Sequence, residues 1–105
     1  MNHADAVDAL SALANSTRLA AFRALVEAGA GGLPVGGLRE LLDIPPATLS
    51  AHLNVLRAAG LVDDTREGRV IRVRASYPRM DALLAYLTDN CCASGDCDPT
   101  CPPRS

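Results

Sequence analysis

Asp43-Ile44-Pro45-Pro46-Ala47-Thr48-Leu49-Ser50-Ala51-His52-Leu53-Asn54-Val55-Leu56-Arg57-Ala58-Ala59-Gly60 is the stretch on which the fold turns. Two successive prolines interrupt what precedes them and suit a first helical turn, where a backbone N–H would have no partner anyway. Gly60 is a natural C-terminal stop, so a helix is predicted over residues 46–59. At about 100° per residue, Leu49, Leu53 and Leu56 share one face. Ala47, Thr48, Ala51, Asn54 and Ala58 lie roughly opposite, with Ser50 and His52 on the flanks. Such a helix buries its leucines and shows a small, polar face that can approach another surface closely.

Working outward, residues 35–42 after Pro34 read as a short helix with Leu38, Leu41 and Leu42 turned inward. On the other side, residues 61–66 and 69–75 read as two strands joined through Glu67-Gly68. In the second strand Ile71, Val73 and Ala75 alternate with Arg72 and Arg74, so one face is apolar and the other cationic. Residues 4–14 form a helix with Val7, Leu10, Leu13 and Ala14 at three- and four-residue steps. Asn15-Ser16 breaks and caps, and residues 17–28 continue with Leu19, Phe22, Leu25 and Val26 on one side. Residues 78–90 form a last helix with a sticky stripe of Met80, Leu83, Leu84 and Leu87. Residues 91–105 are rich in Cys, Pro, Gly and Asp and lack periodicity, which makes them a tail without its own core. The chain divides into a domain at 1–90 and a tail at 91–105.

Composition agrees with a small, mainly helical domain. The 105 residues are 49% hydrophobic but include one Phe, two Tyr and no Trp. The core must come from Leu, Val, Ile and Ala, which favours packed helices. A domain of this size buries a modest fraction of its surface, so a partner subunit is expected to help. No apolar run approaches the roughly 20 residues that span a bilayer, and Met1-Asn2-His3-Ala4-Asp5 lacks the charged start of a signal peptide. The expected location is the cytoplasm, away from membranes. Net charge is −2 and all ten basic residues are Arg. Between Pro45 and Arg79 stand Arg57, Arg66, Arg69, Arg72, Arg74 and Arg79, against Asp63, Asp64 and Glu67. That local excess marks either a phosphate-facing surface or an ordinary solvated face. No nucleotide loop, paired catalytic carboxylates or thioredoxin-like Cys-x-x-Cys supports an enzyme.

A short helix, a tight turn, a helix with small outward residues and an arginine-bearing hairpin make a winged helix-turn-helix: mainly α, about five helices and two strands. The major groove admits one helix whose outer side chains touch base edges. Flanking phosphates need cations on a rigid support, which Arg66, Arg69 and Arg72 near a hairpin tip supply.

Three blocks resemble the ArsR/SmtB family of metal-responsive repressors. They are Leu13-Ala14-Asn15-Ser16-Thr17-Arg18-Leu19, the run Leu49-Ser50-Ala51-His52-Leu53-Asn54-Val55-Leu56-Arg57-Ala58-Ala59-Gly60-Leu61-Val62, and Arg66-Glu67-Gly68-Arg69. The resemblance covers roughly residues 5–90. It implies a homodimer paired through the first and last helices, a twofold operator of double-stranded DNA, and release of the DNA by an inducer. Where relatives often place a polar pair at the start of the recognition helix, this chain has Pro45-Pro46. Base reading then falls to residues such as Thr48, Ser50, His52 and Asn54, with Ala51 among the DNA-facing residues beside them. His52 reads equally as a residue packed between helices, Arg57 equally as an internal salt-bridge partner, and Arg74 as too far from the hairpin tip.

All four cysteines, Cys91, Cys92, Cys97 and Cys101, fall in the last fifteen residues. In a cytosolic protein such a cluster more often binds metal or reacts than staples a fold. The resemblance implies a sensor site whose position varies. The Cys-Val-Cys of founding arsenic sensors is replaced here by Leu33-Pro34-Val35-Gly36. The last helix carries Asp81 and Asp89 but no His for a zinc site of the family's kind. Thiolates select soft ions, and trivalent arsenic or antimony takes three sulfurs in a pyramid. The cluster resembles arsenic sensors whose site has moved to a C-terminal Cys-Cys pair plus a later Cys. Cys91, Cys92 and Cys97 are the expected ligands, with Cys101 a substitute or a bystander. Cadmium, lead, a four-thiolate zinc site and a redox switch through Cys97 and Cys101 remain open.

Overall fold

A computed structural model of the chain describes residues 1–90. Five helices and three strands follow in the order α1 (His3–Leu13), α2 (Ser16–Ala28), β1 (Leu33–Pro34), α3 (Val35–Leu42), α4 (Pro46–Ala58), β2 (Val62–Glu67), β3 (Val70–Ala75) and α5 (Tyr77–Thr88). The tail at 91–105, with its four cysteines, lies outside the described residues.

The helix starts follow from their caps. Asn2 Oδ1 accepts from Asp5 N–H at 2.7 Å ahead of α1, and Asn15 Oδ1 accepts from Arg18 N–H at 3.0 Å ahead of α2. Each side chain satisfies a backbone donor that has no partner inside the helix. Between α3 and α4, Asp43 closes α3 in the left-handed region at φ 52° and Pro45 is extended. A residue that precedes proline is barred from the helical region, so Pro45-Pro46 forces the turn and then seeds α4.

The sheet is antiparallel in the order β1-β3-β2. Glu67 pairs with Val70 across a two-residue turn. Gly68, at φ 60°, takes the first central position, where this kind of hairpin requires a positive φ. The strand predicted over 69–75 opens one residue later for that reason. β1 was not foreseen. Leu33 and Pro34 align with Val73 and Arg72, and two residues carry no alternation to read. Proline fits there because β1 is an edge.

The core joins all the layers. Leu25, Leu38, Leu49, Leu53, Leu56, Leu61 and Val73 are fully buried, with Phe22, Val62, Ala75 and Leu83 around them. Each such leucine contributes roughly 1.5–3 kcal/mol by leaving water. The three α4 leucines share the buried face expected of them. One expectation is corrected: Leu41, read as turned inward, faces solvent at 65%, leaving Leu38 as the buried residue of α3. The spacing on α1 and α2 gave no direction; α1 buries Ala6, Ala9 and Ala12, while Val7 and Leu10 stay 50% and 43% exposed, and Leu19 of α2 is also exposed. The reason on α1 is close approach: a row of alanines lets its backbone sit tightly against its neighbours and turns the longer side chains outward. On α5, Leu83 is buried while Leu84 and Leu87 are more than half exposed. Among the described residues, Val7 and Leu10 on α1 and Leu84 and Leu87 on α5 are therefore apolar side chains that nothing covers.

Candidate nucleic-acid interface

α4 presents one continuous outer face. Pro46, Ala47, Thr48, Ser50, Ala51, Asn54, Val55 and Ala58 are exposed, opposite the buried leucines. Pro46 and Ala47 offer no side-chain hydrogen bond, so the face is sterically open at its N-terminal end. Thr48 and Ser50 bring hydroxyls and Asn54 an amide. Ala51, between them, keeps the approach close.

Asn54 is oriented by its own helix. Arg57 Nη1 donates to Asn54 Oδ1 at 2.8 Å. The amide oxygen is thereby engaged, which leaves the NH2 as the group free to donate. Arg57 also faces the wing: its Nε lies 2.8 Å from Asp64 Oδ2, a charge contact whose N–H direction misses the oxygen. The expectation of an internal partner for Arg57 describes this arrangement, and the residue spans α4 and β2 rather than standing free.

His52 is half-buried. Its Nδ1 lies 3.4 Å from Arg18 Nη1, and Arg18 Nε donates to the Ala12 carbonyl at 2.7 Å. The ring sits at the edge of the outer face, held toward the body of the domain. Arg18 links α2, the end of α1 and α4, a role absent from the sequence reading although the residue stood inside one of the quoted blocks.

The wing projects from the core. In β2 only Val62 is buried. Arg66 and Arg69 flank the tip, are exposed, and have no ionic partner among the described residues. Arg72 is half-buried and pairs with Glu67 at 3.4 Å, so part of its charge is compensated on the wing itself. Arg74 is exposed toward the base of the hairpin, paired in register with Asp63. Arg79 does not belong to this face; it is engaged with α1 and the end of α4. The cationic surface is therefore carried chiefly by Arg66 and Arg69.

Arg39 on α3, half-buried and without an ionic partner among the described residues, is a further cation of the helix-turn-helix. It preceded the arginine-rich window and was missed. No group of three or more His, Cys, Asp or Glu side chains converges among the described residues. No helix there is long and apolar enough to cross a membrane.

A helix with a small, polar outer face behind a tight turn, beside a hairpin with arginines at its tip, defines a winged helix-turn-helix DNA-binding domain. A family model described as a helix-turn-helix domain matches residues 13–65. The chain is 38% identical over 84 residues to the biofilm growth-associated repressor of Agrobacterium fabrum, covering 80% of this chain and 69% of that one. It is 34% identical over 86 residues to the transcriptional activator HlyU of Vibrio cholerae, covering 82% and 77%. Among solved structures, an ArsR-like transcriptional regulator from Rhodococcus sp. RHA1 superposes with a TM-score of 0.71 at 28% identity, covering 88% and 83%. A homodimeric winged helix-turn-helix domain from Mycobacterium bovis does so at 0.65 and 28%, covering 82% and 80%. A protein described as a possible transcriptional regulator for arsenical resistance does so at 0.67 and 30%, covering 79% and 82%. The chain belongs to the ArsR family of winged-helix transcriptional regulators. Its relatives are DNA-binding regulators rather than enzymes.

Proposed function

We propose that the protein is a metalloid-responsive repressor that binds operator DNA as a homodimer and is released when trivalent arsenic or antimony binds its C-terminal cysteines. The observation that carries this reading is the placement of the thiols. All four cysteines of the chain stand in residues 91–105, directly after α5, and the rest of the chain holds none. Four soft donors in fifteen residues suit an ion that takes three sulfurs, with Cys91, Cys92 and Cys97 as ligands and Cys101 in reserve.

The division of labour follows the chain. Residues 1–90 bind DNA and dimerise; residues 91–105 sense. The exposed apolar residues Val7 and Leu10 of α1 and Leu84 and Leu87 of α5 support pairing through those two helices, and the homodimeric relative supports a homodimer. Repression is favoured by the Agrobacterium relative. Arsenic is favoured by the thiol chemistry and by the structural relative described for arsenical resistance. On the DNA, Thr48, Ser50, Ala51, His52 and Asn54 meet base edges, while Arg66, Arg69 and Arg72 meet phosphates; Arg57 lies beside them, its charge engaged by Asp64.

Release requires the effector to favour the DNA-free arrangement of the dimer. A coupling of about 1–3 kcal/mol weakens operator binding roughly 5- to 150-fold. The test is titration of the reduced protein–operator complex with arsenite, antimonite, cadmium and zinc, beside an oxidant. Release by arsenite and antimonite supports the reading; release only by another soft metal, or only by oxidation, replaces the inducer and keeps the regulator.

A further inference from the structure

The C-terminus of the recognition helix is closed from two directions. Gly60 N–H bonds the Arg57 carbonyl at 2.9 Å and Leu61 N–H bonds the Leu56 carbonyl at 3.0 Å. This pair of bonds is the glycine-dependent helix ending, with Gly60 at φ 75°. It leaves the Ala59 carbonyl to be satisfied from elsewhere. The donor comes from α5: Arg79 Nε reaches the Ala59 carbonyl at 3.1 Å. Two residues beyond, Ser76 N–H, at the cap of α5, bonds the Leu61 carbonyl at 2.8 Å.

Arg79 reaches further. Its Nη2 lies 3.8 Å from Asp5 Oδ1 on α1, and its side chain is 29% exposed. The Arg79 side chain lies close against the chain at position 60, where a Cβ would stand 3.1 Å from Nε. A glycine at 60 thus serves the left-handed turn and admits the arginine. One side chain joins the start of α5, the N-terminal part of α1 and the end of α4, and its cation lies where helix carbonyls concentrate negative potential.

We infer that Arg79 is a positioning residue that fixes the pose of the recognition helix relative to α1 and α5, and so carries changes at α5 to the DNA-reading face. It touches no base and no phosphate. This role rests on the reading of the chain as an effector-released regulator only in its second half; the positioning of α4 stands without it.

The experiment compares full-length, reduced wild type with Arg79→Ala and Arg79→Lys. The probes are a duplex selected by the wild-type protein from a random-sequence DNA pool, and an unrelated duplex. Arg79→Ala is expected to lose about tenfold on the selected duplex, within the span of typical couplings, with unchanged affinity for the unrelated one. The slope of log affinity against log salt stays that of wild type, and Arg79→Lys, which keeps a donor and a charge, recovers most of the loss. Equal loss on both duplexes, or a salt slope shallower by about one, makes Arg79 a phosphate contact and overturns the proposal. Undiminished selected-duplex affinity overturns it too. Should Arg79→Ala fail to fold, Arg79→Gln, which keeps the aliphatic stem but loses the charge and the reach, takes its place in the same comparison. Arsenite is then added: the fold-change it causes in wild type should shrink toward one in the variant, and an undiminished fold-change overturns the transmission half of the proposal. If arsenite releases neither protein, the metalloid reading fails while the selected-duplex comparison still decides the role of Arg79.

Discussion

Arg57 on the recognition helix and Asp64 on the wing stand 2.8 Å apart, Nε to Oδ2, each about one-third exposed. The contact joins the two elements proposed to meet DNA, and it engages a charge on the face turned toward it. Asp64→Asn removes a carboxylate from a surface that approaches a polyanion and frees the guanidinium. The expected result is tighter binding to all duplexes and a salt slope steeper by up to about one. Thermal stability should fall by no more than about 1 kcal/mol, because partly exposed pairs are screened. Binding titrations over a salt series, with a melting curve alongside, measure both.

The tip of the wing and the outer face of α4 should behave differently. Arg69→Ala is expected to weaken binding to many sequences alike and to lower the salt slope by about one. Asn54→Ala or Thr48→Ala should instead change which base pairs are preferred, at about 1–3 kcal/mol for a good side-chain contact. Selection of preferred sequences by each variant separates the two. A reversed pattern would reassign the wing to base reading.

Dimerisation should depend on the uncovered apolar stripes. Leu84→Glu, at a side chain that is 53% exposed within one chain, should leave the fold intact and shift the protein to monomer in sedimentation. Operator affinity should fall with it, since a twofold site needs both recognition helices. A variant that remains dimeric would place the pairing surface elsewhere.

Leu53→Ala probes the support beneath the reading face. Leu53 is fully buried between α4 and the core, and such truncations typically cost about 2–5 kcal/mol. Chemical denaturation should report a loss in that range, against a near-neutral Leu41→Ala on the exposed side of α3.

Much of the fold was legible because α4 declares itself twice. Pro45-Pro46 and Gly60 punctuate it, and its leucines keep a strict inward face. The short β1 was not legible, because Leu33 and Pro34 have no period and gain their partner only from β3. The apolar stripes of α1 and α5 were visible as patterns but ambiguous in direction. Periodicity says that Val7, Leu10, Leu84 and Leu87 share faces, not whether those faces meet the chain's own core. For the site, the outward residues of α4 followed from helical geometry alone. Which arginines are available did not: Arg57 and Arg79 are engaged by Asp64, Asp5 and a helix-end carbonyl, contacts that only tertiary structure creates. Arg66 and Arg69 stay open because Glu67, the carboxylate at the hairpin tip, pairs with Arg72.

The most direct measurement is the effect of arsenite on the reduced, DNA-bound dimer, comparing wild type with Cys91→Ser and Cys92→Ser by fluorescence anisotropy of a labelled operator duplex. Arsenite should release the wild type, while both variants bind the duplex as tightly as wild type and stay bound when arsenite is added. Release of both variants at wild-type arsenite concentrations, or a wild-type dimer that stays on the duplex with every soft ion supplied, would contradict the proposal that these thiols sense the inducer.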